Sequence, residues 1–239
     1  MSIVMSSLRI PLLVAGALMC CGAQAQMQPR PAVVELFTSQ GCSSCPPAEA
    51  YIGELTRNKD VLALSFHVDY WDDLGWKDPF SLGISTERQR SYSAAQGRSS
   101  VYTPQVVIDG KRDFVGTDRR NISQALAVAR SGVPVGILLQ GGDVVVDLGV
   151  QAQIAPSDVL MVAYLRKATT PIGRGENSGR TLEEFNIVRG VRNLGQWKGD
   201  AASFRTPRSS LPRDATDVAI LVQSTGQHAV IGAGTRSLY

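Results

Sequence analysis

The sequence predicts an α/β domain with a mixed sheet, followed by a second, β-rich domain of sandwich-like character. From residue 33 to 129, short β-branched runs alternate with helix-compatible stretches. After Gly132-Val133-Pro134, strand-like runs follow one another without helical periodicity. A third observation ties the first half to chemistry: Cys42-Ser43-Ser44-Cys45 follows the first strand and stands at the start of the first helix.

Residues 33–36 with Phe37 form an apolar, β-branched run that reads as a buried strand, and Thr38-Ser39-Gln40-Gly41 turns it into the cysteine motif. Beyond Cys45, Ala48, Tyr51, Ile52 and Leu55 recur at helical spacing. Pro46 and Pro47 suit a first helical turn, where a missing amide costs nothing. Residues 61–68 give a second strand, residues 69–80 a loop, and residues 81–95 a polar, helix-compatible stretch. Residues 105–108 are a third strand, and Asp109-Gly110 signals a hairpin into Phe114-Val115. Residues 121–129 place Ile122, Ala125, Leu126 and Ala129 on one helical face. The early strands need crossover helices and the last pair can form a hairpin, which makes the sheet mixed. Further strands are expected at 135–139, 143–148, 159–165, 185–191, 218–222 and 229–231, with no internal repeat.

The N-terminus reads as an export signal. Arg9 supplies the charge, residues 10–19 a short apolar run and Ala23-Gln24-Ala25 a cleavage site. The expected division is therefore a signal at 1–25, the α/β domain at 26–131 and the β-rich domain at 132–239. The apolar run is shorter than the roughly 20 residues that cross a bilayer, so no membrane span is expected. A competing reading makes Cys21 a lipidated N-terminus, but Leu18-Met19-Cys20 offers no small residue beside it except Cys20. The product is expected in the periplasm or outside the cell. There are 24 Lys and Arg against 21 Asp and Glu, a net charge of +3 with basic residues scattered among acids. Such near-balance predicts no attraction to nucleic acid or membrane.

Cleavage removes Cys20 and Cys21 and leaves Cys42 and Cys45 as the mature thiols. A loop this short stabilises a fold little, which argues against a purely structural disulfide. At a helix start, thiols at i and i+3 can meet, and the dipole favours a thiolate. Cys42, the outer cysteine at the helix start, is then the expected nucleophile, and Cys45, one turn deeper, the resolving thiol. A closed zinc site wants four ligands, and beside these thiols the mature chain has only His67 and His228 as soft partners. No cofactor is expected on the redox reading. The alternative is reversible Cu(I) binding by Cys42, Cys45 and His67, since thiolates favour soft ions.

Strand, Cys-x-x-Cys at a helix start, and Tyr102-Thr103-Pro104 before a later strand together resemble the thioredoxin superfamily. That resemblance implies a thioredoxin-like N-terminal domain, with Thr103 and Pro104 at a cis-proline position that packs beside the cysteines and helps hold an extended substrate. Ser43-Ser44 departs from the Gly-Pro of thioredoxin and the Pro-His of DsbA, which leaves the redox direction open. The run Val34-Glu35-Leu36-Phe37-Thr38-Ser39-Gln40-Gly41-Cys42-Ser43-Ser44-Cys45-Pro46-Pro47 is similar to the secreted family known as DUF1223. So are Gly175-Glu176-Asn177-Ser178-Gly179-Arg180-Thr181-Leu182 and Asn186-Ile187-Val188-Arg189.

His67 through Asp72 follows the second strand, at a sheet end where functional loops gather. His67 can tune a thiolate or ligate a metal there, and Tyr70, Trp71 and Trp76 can wall a site for a partner polypeptide; Trp71 is taken with Thr103 and Pro104 as substrate-binding. The plainer reading, which is preferred, makes His67 a hydrogen-bonded strand end and the aromatics core. The glycine-rich stretch 173–180 lacks the Gly-Lys-Ser/Thr ending of a phosphate cradle and reads as a polar loop. The expected partners are thiols or disulfides of envelope proteins, and the oligomeric state is not legible.

Overall fold

A computed structural model describes Met1, residues 26–226 and residues 228–239. The signal segment, its cleavage site, Cys20 and Cys21 lie outside the described residues. The chain is a mixed α/β structure built on large sheets.

A two-residue strand β1 (Gln28–Pro29) leads into β2 (Ala32–Thr38), which is buried along its whole length. Helix α1 (Pro46–Leu55) crosses to β3 (Val61–His67), which pairs with β2 in parallel and is buried as completely. Strands buried on both faces read as continuous apolar runs, which is why residues 33–37 and 61–68 stand out in the sequence. Helix α2 (Gly83–Ala95) follows, then β4 (Gln105–Ile108), antiparallel to β2, and its hairpin partner β5 (Arg112–Val115). Helix α3 (Arg119–Leu126) begins two residues earlier than the apolar periodicity suggests, because Asp118 caps it through the Asn121 amide. Beyond β6 (Ser131–Gly132) come β7 (Val135–Gln140), β8 (Asp143–Leu148), β9 (Ser157–Pro171), β10 (Thr181–Trp197), β11 (Ala202–Pro207), β12 (Asp217–Ser224) and β13 (Val230–Ser237).

Eight of these strands form one sheet, ordered β13-β12-β9-β10-β3-β2-β4-β5. The sheet crosses the division expected at 131/132, because β10 joins β3 in parallel with Ile187 opposite Ser65. Asn186 secures this junction by donating from Nδ2 to the Ala63 carbonyl at 2.8 Å. A second sheet, β11-β8-β7, packs its apolar side on the far half of the large one, with Val144, Val146 and Leu148 clustered against Met161, Ile220 and Val222. Residues beyond 132 thus build two packed sheets, as a sandwich does, but one of them is continuous with the N-terminal half.

Helix α2 shows why its sequence carries no apolar stripe: it buries Ser85, Thr86, Gln89, Tyr92 and Ser93. Its Arg88 pairs with Glu35 in the centre of β2, and the Tyr92 hydroxyl donates to Glu35 Oε1 at 2.6 Å. Gln89 donates to the Tyr102 carbonyl at 2.7 Å and to Gln105 Oε1 at 2.9 Å. Hydrogen bonding, together with the buried Tyr92 ring, seats this helix on the sheet.

Candidate functional site

Cys42 and Cys45 are joined as a disulfide with their Cα atoms 5.4 Å apart. A turn holds them: the Cys42 amide donates to the Ser39 carbonyl at 3.1 Å and the Cys45 amide to the Cys42 carbonyl at 3.2 Å. The expectation that Cys42 opens the helix and Cys45 lies a turn inside it is corrected, since α1 starts at Pro46 with Cys45 as its N-cap. Cys42 belongs to the preceding turn. Pro46 and Pro47 have no amide hydrogen, and the amides of Ala48 and Glu49 both donate to the Cys45 carbonyl. The helix therefore acts on the sulfurs through its dipole more than through free amides.

Neither cysteine is the outer one. Cys42 is 0% and Cys45 1% exposed, while Ser43 and Ser44 between them are exposed. The stretch 173–180, expected as a polar loop, lies on the motif. Asn177 Nδ2 donates to the carbonyls of Gln40 and Cys42, both at 2.9 Å, and Glu176 Oε2 accepts from the Ser43 amide at 3.1 Å. The Ser43 hydroxyl first, and then its amide, hold the exposed Glu176 carboxyl below its ordinary value. Where the 69–80 loop meets this cover, Gly75 and Gly175 take positive φ, 101° and 75°, which side chains rarely adopt, and a Cβ on Gly175 would stand 3.1 Å from the Trp76 Cβ. The three hydrogen bonds of this cover each span more than 130 residues, so nothing local in the sequence marks them.

The bond between Thr103 and Pro104 is cis. Trp71 Nε1 donates to Thr103 Oγ1 at 2.9 Å, and the Trp71 Cβ packs so close to Gly41 that a Cβ there would stand 3.1 Å away. Trp71 thus links the cysteine turn to the Thr103-Pro104 corner, and with Tyr70 it packs half-buried on the core. Trp76 Nε1 donates to Gln40 Oε1 at 2.9 Å.

His67, the last residue of β3, is fully buried, and its ring faces carboxylates. Nδ1 is 2.7 Å from Asp78 Oδ2, while Nε2 is 3.8 Å from both Glu49 Oε1 and Glu184 Oε1. Burial alone would lower the imidazole pKa, but Asp78 first, then Glu184 and Glu49, raise it to about 9. Asp78, despite burial, is held below its ordinary value by His67 and by the amides of Gln40 and Phe80. Burial lifts Glu184 to about 7 and also raises Glu49, in each case against the pull of His67. Glu49, Asp78 and Glu184 escaped the sequence reading because each looks like an ordinary polar residue of its own segment. A cavity of about 510 Å³ between α1 and β10 is lined by Ser39, Cys45, Glu49, Glu184 and Phe185, joining this group to the disulfide.

The family model described as a protein of unknown function, DUF1223, matches residues 33–223. The chain is similar to a crystal structure of a protein from Agrobacterium tumefaciens, at 32% identity and a TM-score of 0.75, over 87% of this chain and 94% of that one. It is also similar in fold to HBP35 of Porphyromonas gingivalis, at 16% identity and a TM-score of 0.61, over 91% of this chain and 76% of that one. No curated protein matches.

Proposed function

The chain belongs to the DUF1223 family, and from that premise we propose that it is an exported thiol-disulfide oxidoreductase acting on envelope proteins. The observation that carries this reading is the Cys42–Cys45 disulfide at the start of α1, linked through Trp71 to a cis Thr103-Pro104 corner. The same combination supports reading residues 26–131 as a thioredoxin-like unit, extended by the strands that follow. Export rests on the first 25 residues.

In the reducing direction, the Cys42 thiolate attacks one sulfur of a partner disulfide. A Cys42–partner bond forms and the other partner sulfur leaves as a thiolate. Cys45, as thiolate, then attacks Cys42 Sγ, closing the 42–45 disulfide and releasing the second partner thiolate. Two electrons pass from the dithiol to the partner, and oxidation of a partner is the same sequence reversed. Thr103, Pro104 and Trp71 flank the path along which an extended chain would lie. Because both sulfurs are buried, exchange requires the cover at residues 173–180 to move off Cys42.

A Cys45→Ser variant should accumulate mixed disulfides on Cys42 in the envelope, and Cys42→Ser should abolish exchange with a disulfide-bonded peptide. Wild-type exchange by Cys42→Ser would sink the proposal. The direction follows from the reduction potential, about 30 mV being worth 1.4 kcal/mol for this two-electron couple. Anaerobic Cu(I) titration of the reduced protein separates this reading from copper delivery by the same thiols.

A further inference from the structure

Three side chains from three elements meet beneath the disulfide: Glu49 of α1, His67 of β3 and Glu184 of β10. Each has one polar atom tied to the protein. Glu49 Oε2 accepts from Ser65 Oγ at 3.2 Å, Glu184 Oε2 from Gln40 Nε2 at 2.7 Å, and His67 Nδ1 is held by Asp78 at 2.7 Å. Their remaining atoms face one another. His67 Nε2 stands 3.8 Å from Glu49 Oε1 and from Glu184 Oε1, too far for a hydrogen bond. His67 Nε2 and Glu49 Oε1 are buried without any partner. Buried polar groups are nearly always satisfied, so two partnerless atoms facing each other at one place mark a missing ligand.

We infer that Glu49, His67 and Glu184 bind one divalent transition-metal cation of the zinc class, with Asp78 orienting the His67 ring. One atom from each of the three residues lies within 4.8 Å of the others. Metal–ligand bonds of about 2.0–2.2 Å place neighbouring donors roughly 3–4 Å apart, so the 3.8 Å pairs already suit one ion and the widest pair needs a small inward shift. The outer contacts are those such sites use: a ligating histidine donates its other nitrogen to a carboxylate, and ligating carboxylates are themselves hydrogen-bonded. One imidazole and two carboxylates, with no thiolate, favour Zn²⁺, Mn²⁺ or Fe²⁺ over Cu(I). The cavity lined by Glu49 and Glu184 provides a route in and room for a further ligand. This site is distinct from the dithiol, and it does not depend on disulfide exchange.

The test is titration of zinc chloride into the chelator-stripped full chain with its cysteines oxidised, read by calorimetry and by the thermal midpoint. A single saturable equivalent with a raised midpoint is expected. Glu184→Gln and Glu49→Gln should each weaken it by more than 10-fold, and Asp78→Asn by roughly 10- to 100-fold. A Cys42→Ser, Cys45→Ser double variant should bind as wild type does. Absence of saturable binding in the wild type overturns the inference, as does loss of binding in the double cysteine variant alone. Should the Glu variants not fold, Co²⁺ on the oxidised wild type decides: saturable visible d–d bands support the site, and the spectrum of free aqueous Co²⁺ overturns it. A chain that fails in exchange but binds zinc in this way refutes only the oxidoreductase reading.

Discussion

Replacing Asn177 with Ala should uncover Cys42. The side chain is 1% exposed, and its Nδ2 holds the Gln40 and Cys42 carbonyls at once, each at 2.9 Å. A neutral hydrogen bond of this kind contributes about 0.5–1.5 kcal/mol net, so losing two weakens the closed cover by roughly 1–3 kcal/mol. At 25 °C that raises the open population about 5- to 150-fold. If the cover opens and closes quickly relative to attack, reduction of the 42–45 disulfide by a small thiol accelerates by the same factor. The assay is pulsed reduction with dithiothreitol followed by alkylation and mass measurement. Ser178→Ala serves as the control, because Ser178 bonds only within the loop, to the Gly173 carbonyl. An unchanged rate in Asn177→Ala, with the fold intact, refutes the idea that this contact seals the dithiol.

Three further outcomes test the scaffold. Gly53→Ala puts a Cβ 2.5 Å from the Phe185 ring where α1 faces β10, and overpacking of about 1–3 kcal/mol should appear as a lower denaturation midpoint. Arg88→Ala leaves Glu35 buried beneath α2 without its guanidinium partner; breaking such a pair costs about 3–5 kcal/mol, visible in urea unfolding. Asp113 tests the corner before Pro104. Burial would raise its carboxyl pKa, but hydrogen bonds from Arg98, Gln105 and Tyr102 outweigh burial and lower it from 3.8. A depressed carboxylate stabilises the fold above the unfolded value and stops doing so as pH falls through the folded one. Asp113→Asn should therefore flatten the loss of stability below about pH 4, and an unaltered acid limb would contradict this assignment.

Much of this protein is written locally. The strand at Gln105–Ile108 and the strand at Asp143–Leu148 coincide with runs in the sequence, and the helix begins at the Pro46-Pro47 signal. The dithiol was likewise legible, because cysteine spacing acts over a few residues, whereas Thr103 and Pro104 stood out only through the resemblance to the thioredoxin superfamily. Strand β11 and the long polar arms of β9 and β10 were not, since Ala202–Pro207, 166–171 and 181–184 lack sustained apolar character. Those arms matter most, for they carry Glu184 to His67 and the 173–180 cover to Cys42. What the sequence determined by itself was the kind of most elements and the place of the cysteine pair among them. Tertiary structure alone decided which strands share a sheet, that both sulfurs are covered, and that three distant polar residues meet. Pairing of a strand such as β10 with β3 depends on groups more than a hundred residues apart, and no local pattern encodes that partner.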